Sequence, residues 1–260
     1  MSERRLDAEL VNRGLASDPE AAFRLVEEGR VLVDGAPALN PGRVIFSPQN
    51  ITVSEVKVYP SRAGEKLAGA LLRLEIDVSQ RKCFDAGAGH GGFTRCLLDH
   101  GAASVVTADV SYGDLDWELR QDRRVNVFER VNVREGIPPS AGAGFDLVVA
   151  DLSFISLTLV LDNLLEITDP TGELLLLVKP QFEAPRGSVG RGGIVDDPDI
   201  WRTAVSKVCD YLEGAGWGVL SVIPAVPRGA GGNQEFFVHS SREVSEDSIE
   251  RIDAAIEEAS

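Results

Sequence analysis

The chain has 260 residues, a formal net charge of −15 and 43 % hydrophobic residues. This length suits a small domain joined to a medium one, with enough apolar residues for a real core. No apolar run approaches the roughly 18 residues of a membrane-spanning helix, and the charged N-terminus does not resemble a secretion signal, so a cytosolic location is expected. Three scattered cysteines without ligand spacing argue against a disulfide framework and predict no metal site.

The negative charge counts against nucleic-acid binding, which usually leaves a basic surface. Part of this charge lies in the C-terminal tail, where seven acids and two bases follow Ser240. Such a composition predicts a solvated terminal helix.

Two short helices are predicted at the N-terminus, over residues 4–14 and 18–29. Apolar residues fall on one face of each, and Asp18 followed by Pro19 suits the start of the second. A hairpin is then predicted at Asp34-Gly35, and a closing strand at residues 51–53. Residues 1–58 therefore predict a compact α+β domain.

Residues 59–62, within a wider stretch of irregular sequence from Ser54, predict a linker. A helix is predicted over residues 63–74, and strands and helices then alternate to the end of the chain. The strands are predicted at 82–86, 104–110, 125–129, 145–151, 173–179, 217–223 and 234–240, and the helices at 92–100, 114–121, 155–166 and 197–214. This alternation predicts a Rossmann-like, seven-stranded α/β sheet over residues 63–260. A loop, not a helix, joins the last two strands, so the last strand is expected to be antiparallel.

A glycine-rich turn, Gly87-Ala88-Gly89-His90-Gly91-Gly92, follows the first predicted strand and opens a helix. Glycines there let a ligand approach the backbone closely, as in both dehydrogenases and methyltransferases. A turn without a ligand is a third possibility. The absence of an acid/base set typical of a dehydrogenase favours a methyltransferase. The candidate cofactor-binding residues are Asp85, Gly87, Gly89, Gly91, Phe93, Asp109, Asn132 and Asp151.

Four charged residues fall where strand or helix ends should meet at one edge of the sheet. Asp151 and Lys179 end apolar strands, Glu235 opens the last strand, and Lys66 lies on the helix before the first strand. Ligands of open α/β sheets bind at the carboxyl ends of the strands, so these residues are the candidate catalytic set. The alternative is that they form two structural ion pairs at the rim of the sheet.

The set Lys66, Asp151, Lys179, Glu235 resembles the Lys-Asp-Lys-Glu tetrad of FtsJ-like ribose 2'-O-methyltransferases. The segments DAGAGHGGFTRCLL, DLSFISL, LVKPQFEAPR and GNQEFFVH resemble the TlyA family of rRNA 2'-O-methyltransferases, which were historically labelled haemolysins. The N-terminal segments RLDAELVNRGLA and AFRLVEEGRVLVDG resemble the ribosomal-protein S-four type RNA-binding domain of that family.

The resemblance implies that S-adenosylmethionine is the cofactor, that cytidine in ribosomal RNA is the target, and that ribosomal subunits are the partners. No membrane partner is expected, and the oligomeric state is left open, with a monomer expected. We expect Lys179 to act as the base and the acids to orient the lysines and the ribose hydroxyl, without a metal ion.

The N-terminal domain is poorer in bases than the family pattern, since residues 1–58 carry seven bases and nine acids. The candidate RNA-binding residues are Arg4, Arg5, Arg13 and Arg43, which could form a local patch, and Arg62. Two other functions stay open: a non-catalytic RNA-binding or ribosome-assembly factor that kept the fold, and a membrane-lytic protein.

Overall fold

The computed structural model describes residues 3–27, 29–38, 40–46, 48–54, 59–185, 187–243 and 248–260. The chain divides into two compact units, Met1–Ser61 and Arg62–Ser260, and each is described by itself.

The N-terminal unit packs two short helices against small antiparallel sheets. Its described elements are β1 (Glu3–Arg5), α1 (Leu6–Asn12), α2 (Pro19–Glu27), β2 (Val31–Val33), β3 (Ala36–Pro37), β4 (Val44–Phe46) and β5 (Ile51–Val53). β3, β2 and β5 form one sheet, and β1 pairs with β4. Leu6 and Leu10 of α1 and Ala22 and Val26 of α2 are fully buried in the core between these elements, as the apolar faces predicted.

The start of the first helix differs from the prediction. Residues 3–5 form a strand antiparallel to β4, and the helix begins only at Leu6. The N–H of Leu6 donates to the carbonyl oxygen of Arg43 at 2.8 Å. Pairing with a distant strand therefore overrides the local helical pattern in this segment.

The C-terminal unit is a seven-stranded sheet with helices on both faces. Its helices are α3 (Arg62–Arg73), α4 (Gly92–Asp99), α5 (Trp117–Gln121), α6 (Leu161–Ile167), α7 (Pro180–Glu183), α8 (Pro198–Gly214) and α9 (Ser248–Ala259). Its strands are β6 (Lys82–Ala86), β7 (Ser104–Asp109), β8 (Val125–Glu129), β9 (Phe145–Ala150), β10 (Thr168–Val178), β11 (Gly218–Pro224) and β12 (Phe236–Ser241).

The strand order is β11-β12-β10-β9-β6-β7-β8, and β12 runs antiparallel to both of its neighbours. The predicted fold class, a seven-stranded Rossmann-like sheet with an antiparallel last strand, is confirmed. The central strands β6, β9 and β10 consist largely of buried apolar residues, as expected of strands covered on both faces.

Several elements of this unit depart from the predicted boundaries. The helix predicted at 155–166 begins only at Leu161, and the one predicted at 114–121 begins at Trp117. β10 begins at Thr168, five residues before the predicted start, because α6 leads straight into it and its register on β9 shifts between Thr168 and Glu173. The C-terminal helix α9 also differs from the predicted solvated helix, because one of its faces is buried. Ile252 and Ile256 are buried on its inner face, so the acidic residues occupy only its outer face.

Within the described residues, no helix combines the length and the apolarity that crossing a membrane requires.

Candidate active site

Four strand ends meet at one edge of the sheet. The parallel strands β6, β9 and β10 end side by side, with Ala86 paired to Ala150 and Ala150 paired to Leu176. The antiparallel strand β12 begins at this edge, where Phe236 pairs with Val178. Asp151, Lys179 and Glu235 each lie one residue beyond these strand ends, so the topology brings three distant sequence positions together.

Lys66 completes this group from helix α3. Its Nζ lies 2.6 Å from Oε2 of Glu235, and the side chains are only 8 % and 3 % exposed. Charges this deeply buried are costly unless they are paired, so each of these residues requires the other.

The second ion pair joins Lys179 to Asp151. The Nζ of Lys179 lies 2.5 Å from Oδ1 of Asp151 and donates a hydrogen bond to Oγ of Ser153 at 3.1 Å. Gln181, two residues after Lys179, lies beside the first pair, since its Nε2 is 3.4 Å from Oε1 of Glu235. The structure therefore brings the four predicted residues into one cluster at this edge of the sheet, as two ion pairs.

Ser153, Gln181 and Gly229 belong to this cluster but were not singled out from the sequence. A Cβ built on Gly229 would lie 2.6 Å from Cδ of Glu235, so only glycine lets the loop before β12 pass over that carboxylate. Polar residues two positions beyond Asp151 and Lys179 were the only available signal for Ser153 and Gln181, and many loops share that spacing.

The glycine turn lies directly against the same edge. Gly87, Gly89 and Gly91 have φ values of +84°, +50° and +92°. A Cβ on Gly87 would lie 2.6 Å from the carbonyl oxygen of Asp151, and one on Gly91 would lie 2.9 Å from Leu115 Cδ1. Gly89 has no such neighbour within 4 Å. Gly87 and Gly91 therefore permit close packing, while Gly89 faces open space in which a ligand can lie.

Two carboxylates flank this turn. Asp109, at the end of β7, accepts hydrogen bonds from the N–H groups of Gly89 at 2.7 Å and Ser111 at 2.8 Å, and so holds the turn in place. Asp85 is completely buried at the end of β6, and its Oδ2 accepts a hydrogen bond from Thr94 Oγ1 at 2.6 Å. Burial raises the pKa of Asp85 to about 7, with a further contribution from the charge of Asp151 and against the hydrogen bond from Thr94.

Phe93 is placed differently from the other candidate cofactor residues. Its side chain is 2 % exposed and stacks on Phe237, with the ring centroids 6.1 Å apart. Phe93 is therefore a core residue, and only its backbone is available to a ligand near the turn.

Asn132 lies beyond the end of β8, where its Nδ2 donates to Oε1 of Glu135 at 3.0 Å. It lines a cavity of about 510 Å³, together with Phe154, Gln181 and Phe182. Phe154 is 92 % exposed, has a φ of +65°, and lies 5.2 Å from Phe182 between ring centroids. An exposed aromatic ring held in a strained backbone conformation was not identified from the sequence and is a candidate for substrate contact.

The candidate RNA-binding arginines are mostly paired with carboxylates of their own unit. Arg13 and Arg4 lie 2.8 Å and 3.6 Å from the carboxylate of Glu9, and Arg5 lies 2.7 Å from that of Asp7. Arg43 is exposed.

Arg62 belongs to the second unit, where it is the first residue of helix α3. Its Nη2 donates to the carbonyl oxygen of Arg228 at 2.6 Å. Among the residues that the structure describes, no group of three or more His, Cys, Asp and Glu side chains could hold a metal ion.

Comparison with known proteins identifies the family of this chain. The model of the FtsJ-like methyltransferases matches residues 59–242, well over half of the chain. The chain belongs to this family. The model of the S4 domain matches residues 4–45, which lie in the N-terminal unit of this chain.

Relatives of this FtsJ-like methyltransferase match it over most of their own length. The 16S/23S rRNA (cytidine-2'-O)-methyltransferase TlyA of Mycobacterium tuberculosis is 45 % identical over 236 residues, which are 90 % of this chain and 88 % of that protein. A solved structure from Streptococcus thermophilus, named a hemolysin, is 33 % identical and covers 100 % of this chain and 96 % of its own, with a TM-score of 0.76. The resemblance to the TlyA family is thereby confirmed.

A more distant structure shares the fold alone. The S-adenosylmethionine dependent methyltransferase of Mesorhizobium loti is 17 % identical, covers 69 % of this chain and 99 % of its own, and gives a TM-score of 0.52.

Proposed function

We propose that this FtsJ-like methyltransferase transfers a methyl group from S-adenosylmethionine to a ribose 2'-hydroxyl of ribosomal RNA, with cytidine as the target nucleoside. The observation that carries the proposal is the convergence of Lys66, Asp151, Lys179 and Glu235 at the sheet edge against which the glycine turn packs. The named activity of the TlyA relative supports the choice of rRNA and cytidine.

The residues at the glycine turn fit this cofactor. Oδ1 of Asp85 is buried without a hydrogen-bond partner, which suits a residue that receives an additional polar group such as the methionine ammonium. Asp109 accepts one backbone N–H on each oxygen, and its remaining lone pairs can accept the two ribose hydroxyls. Gly89 leaves room on the open side of the turn. Bound S-adenosylmethionine supplies an already activated methyl group on a sulfonium centre.

The protein must then align the RNA hydroxyl and remove its proton. We assign proton removal to the Nζ of Lys179, which Asp151 and Ser153 hold at the edge of the sheet. Lys66 and Glu235 form the more buried pair, to which we assign a role in maintaining the shape of the site. The alternative of two purely structural ion pairs does not account for the glycine turn beside them.

RNA contact would involve both units. We propose that residues 1–58 form the RNA-binding domain, that residues 59–62 link the domains, and that residues 63–260 form the catalytic domain. An exposed ring such as Phe154 offers a face on which an unstacked base can lie. The enzyme would act as a monomer on ribosomal subunits in the cytoplasm, without a membrane partner.

A direct test is transfer of tritiated methyl groups from S-adenosylmethionine to ribosomal subunits of a strain that lacks the gene. We expect incorporation into rRNA, and mapping of 2'-O-methyl sites with and without the gene should locate it on cytidine. Calorimetry of cofactor binding should be run in parallel. Subunit binding without methyl incorporation would instead identify an assembly factor, and dye release from liposomes would identify a lytic protein.

A further inference from the structure

A buried carboxylate outside the tetrad ties together the two segments that carry Asp151 and Lys179. Glu183 ends helix α7, four residues after Lys179, and its side chain is 1 % exposed. Its Oε1 accepts a hydrogen bond from the backbone N–H of Leu157 at 2.6 Å, and its Oε2 accepts one from Oγ of Ser156 at 2.5 Å. Both partners belong to the segment that follows Asp151.

Lys207 of helix α8 compensates the charge of this carboxylate. Its Nζ lies 3.0 Å from Oε2 of Glu183 and donates to Oγ of Ser156 at 2.9 Å. All three side chains therefore satisfy one another at a point where the loop after β9, helix α7 and helix α8 meet. A buried carboxylate with three donors is an ordered anchor and not an exposed surface charge.

This anchor and the catalytic pair hold the same loop at its two ends. The pair formed by Asp151 and Lys179 closes one end, and the bonds of Glu183 to Ser156 and Leu157 close the other. Phe154 lies between the two closures, highly exposed and with a φ of +65°. A non-glycine residue in that region is strained, and it is retained only when its surroundings determine its conformation.

We propose that Glu183 is a positioning residue, which, with Lys207, fixes the segment 152–157 so that Lys179 stays aligned with Asp151 and Phe154 stays presented to the RNA. This inference rests on the proposed function. Glu183 touches neither cofactor nor RNA in this proposal and acts only through the loop. Loosening the loop should therefore impair turnover on RNA and leave unchanged the glycine turn, which follows β6 and is held by Asp109 of β7.

The test uses the full-length protein with Glu183→Ala, Glu183→Gln and Ser156→Ala. We expect Glu183→Ala to lower kcat/KM for ribosomal subunits at least tenfold, with the cofactor Kd within about twofold of wild type. Glutamine keeps the length of the side chain and an acceptor for Leu157, so Glu183→Gln should rescue part of the loss. Ser156→Ala removes the hydroxyl that bonds to Glu183 and Lys207 but keeps the bond between Glu183 and the N–H of Leu157. It should therefore give a smaller effect in the same direction, and it serves if Glu183→Ala does not fold.

Hydrogen exchange gives a readout that does not depend on activity. Amides of 152–157 should exchange faster in Glu183→Ala, while those of 85–92 should not change. Glu173→Gln is the matched control, because Glu173 is also held by side chains distant in sequence, Arg81 and His239, but at the opposite edge of the sheet. It should lower stability while kcat/KM stays unchanged.

Three results would overturn the proposal: unchanged exchange of 152–157, a loss of activity no larger than that of Glu173→Gln, or a parallel loss of cofactor affinity. If wild-type protein transfers no methyl group to subunits, the proposed function fails. The exchange data then decide by themselves whether Glu183 holds the loop.

Discussion

Lys66 and Lys179 share an edge of the sheet, but their surroundings differ. The Lys66–Glu235 pair is 8 % and 3 % exposed, whereas the Lys179–Asp151 pair is 11 % and 16 % exposed and has a serine hydroxyl beside it. A proton acceptor must be reachable by the substrate, so the more open pair is the better candidate for proton removal. The more buried pair is better suited to maintain the shape of the site.

For Lys179→Ala we therefore expect a loss of methyl transfer on the order of 100-fold or more, because general-base catalysis contributes about 10²–10⁴-fold. The cofactor Kd should change little, since the glycine turn does not involve this side chain. Single-turnover assays with subunits, together with calorimetry, would measure both. Near wild-type turnover in this variant would rule out the role assigned to Lys179.

Gly229 offers a test that leaves all four charged residues intact. In Gly229→Ala the new methyl group would occupy the space of the Glu235 carboxylate, whose Cδ lies 2.6 Å from the position of the Cβ. Glu235 must then move, which disturbs its buried ion pair with Lys66 and costs about a few kcal/mol in strain. We therefore expect activity to fall about tenfold or more. Ala substitution at Gly214, where a Cβ meets no neighbour within 4 Å, provides the control.

The raised pKa of Asp85 leads us to expect an unusual pH dependence of stability. Because its pKa is raised from 3.8 to about 7 in the folded protein, the folded state keeps a proton that the unfolded state loses. Stability of the cofactor-free protein should therefore fall as the pH rises from about 4 to 7, by up to about 4 kcal/mol from this group.

The comparison that isolates this effect is Asp85→Asn, which has no proton to lose. Urea unfolding across this pH range should show the variant gaining stability over wild type up to pH 7 and then holding the gain constant. A difference that does not vary with pH would contradict the assignment. Cofactor affinity should also be weaker in the variant.

The predictions of helices and strands were most accurate where the apolar residues of a segment followed one clear pattern. The strands β6, β8 and β9 begin at their predicted residues because their buried apolar runs are bounded by turns. The strand β1 and the early start of β10 were missed, because both depend on pairing with a partner distant in sequence. Helix α7 was not predicted either, since four residues carry too little periodicity.

The candidate site divides in the same way. Asp151, Lys179 and Glu235 were predictable because they lie at strand ends, which the topology brings together, and Lys66 because it lies on the helix before the first strand. Gln181, Gly229 and Glu183 were not, because their roles depend on which side chains lie beside them in three dimensions. No local pattern encodes that proximity.

Glu173, on strand β10, should give a pH dependence of stability that is opposite in sign to that of Asp85. His239 and Arg81 hold the pKa of Glu173 down at about 2, against the effect of burial. This group therefore stabilises the fold above its ordinary value of 4.5, and the contribution is lost as the pH falls from there towards 2. Allowing for partial solvent exposure, we expect about 2 kcal/mol at neutral pH.

Acid unfolding of Glu173→Gln would measure this contribution. The variant should be less stable than wild type at neutral pH, and the two proteins should converge as the pH approaches 2. A constant gap at all pH values would show that the ion pair is not responsible.

For the chain as a whole, the net charge of −15 and the proposed RNA substrate must be reconciled. Asp7 and Glu9 form ion pairs with the guanidinium groups of Arg4, Arg5 and Arg13 in the N-terminal unit. RNA phosphates would have to displace these carboxylates, so affinity should be modest and depend weakly on salt.

Replacing both acids, in Asp7→Asn with Glu9→Gln, should release the arginines. We expect tighter RNA binding and a plot of log K against log salt that steepens by roughly 0.7–0.9 for each arginine that gains a phosphate. Filter binding at several salt concentrations would measure the slope. An unchanged slope would mean that these arginines do not face RNA.

The order of the last strands has a consequence for synthesis of the protein. β12 lies between β10 and β11, so β11 cannot join the sheet until residues 236–241 have been made. The same short stretch follows immediately after Glu235. A nascent chain that stops at β11 would therefore lack both a complete sheet and the last of the four candidate catalytic side chains.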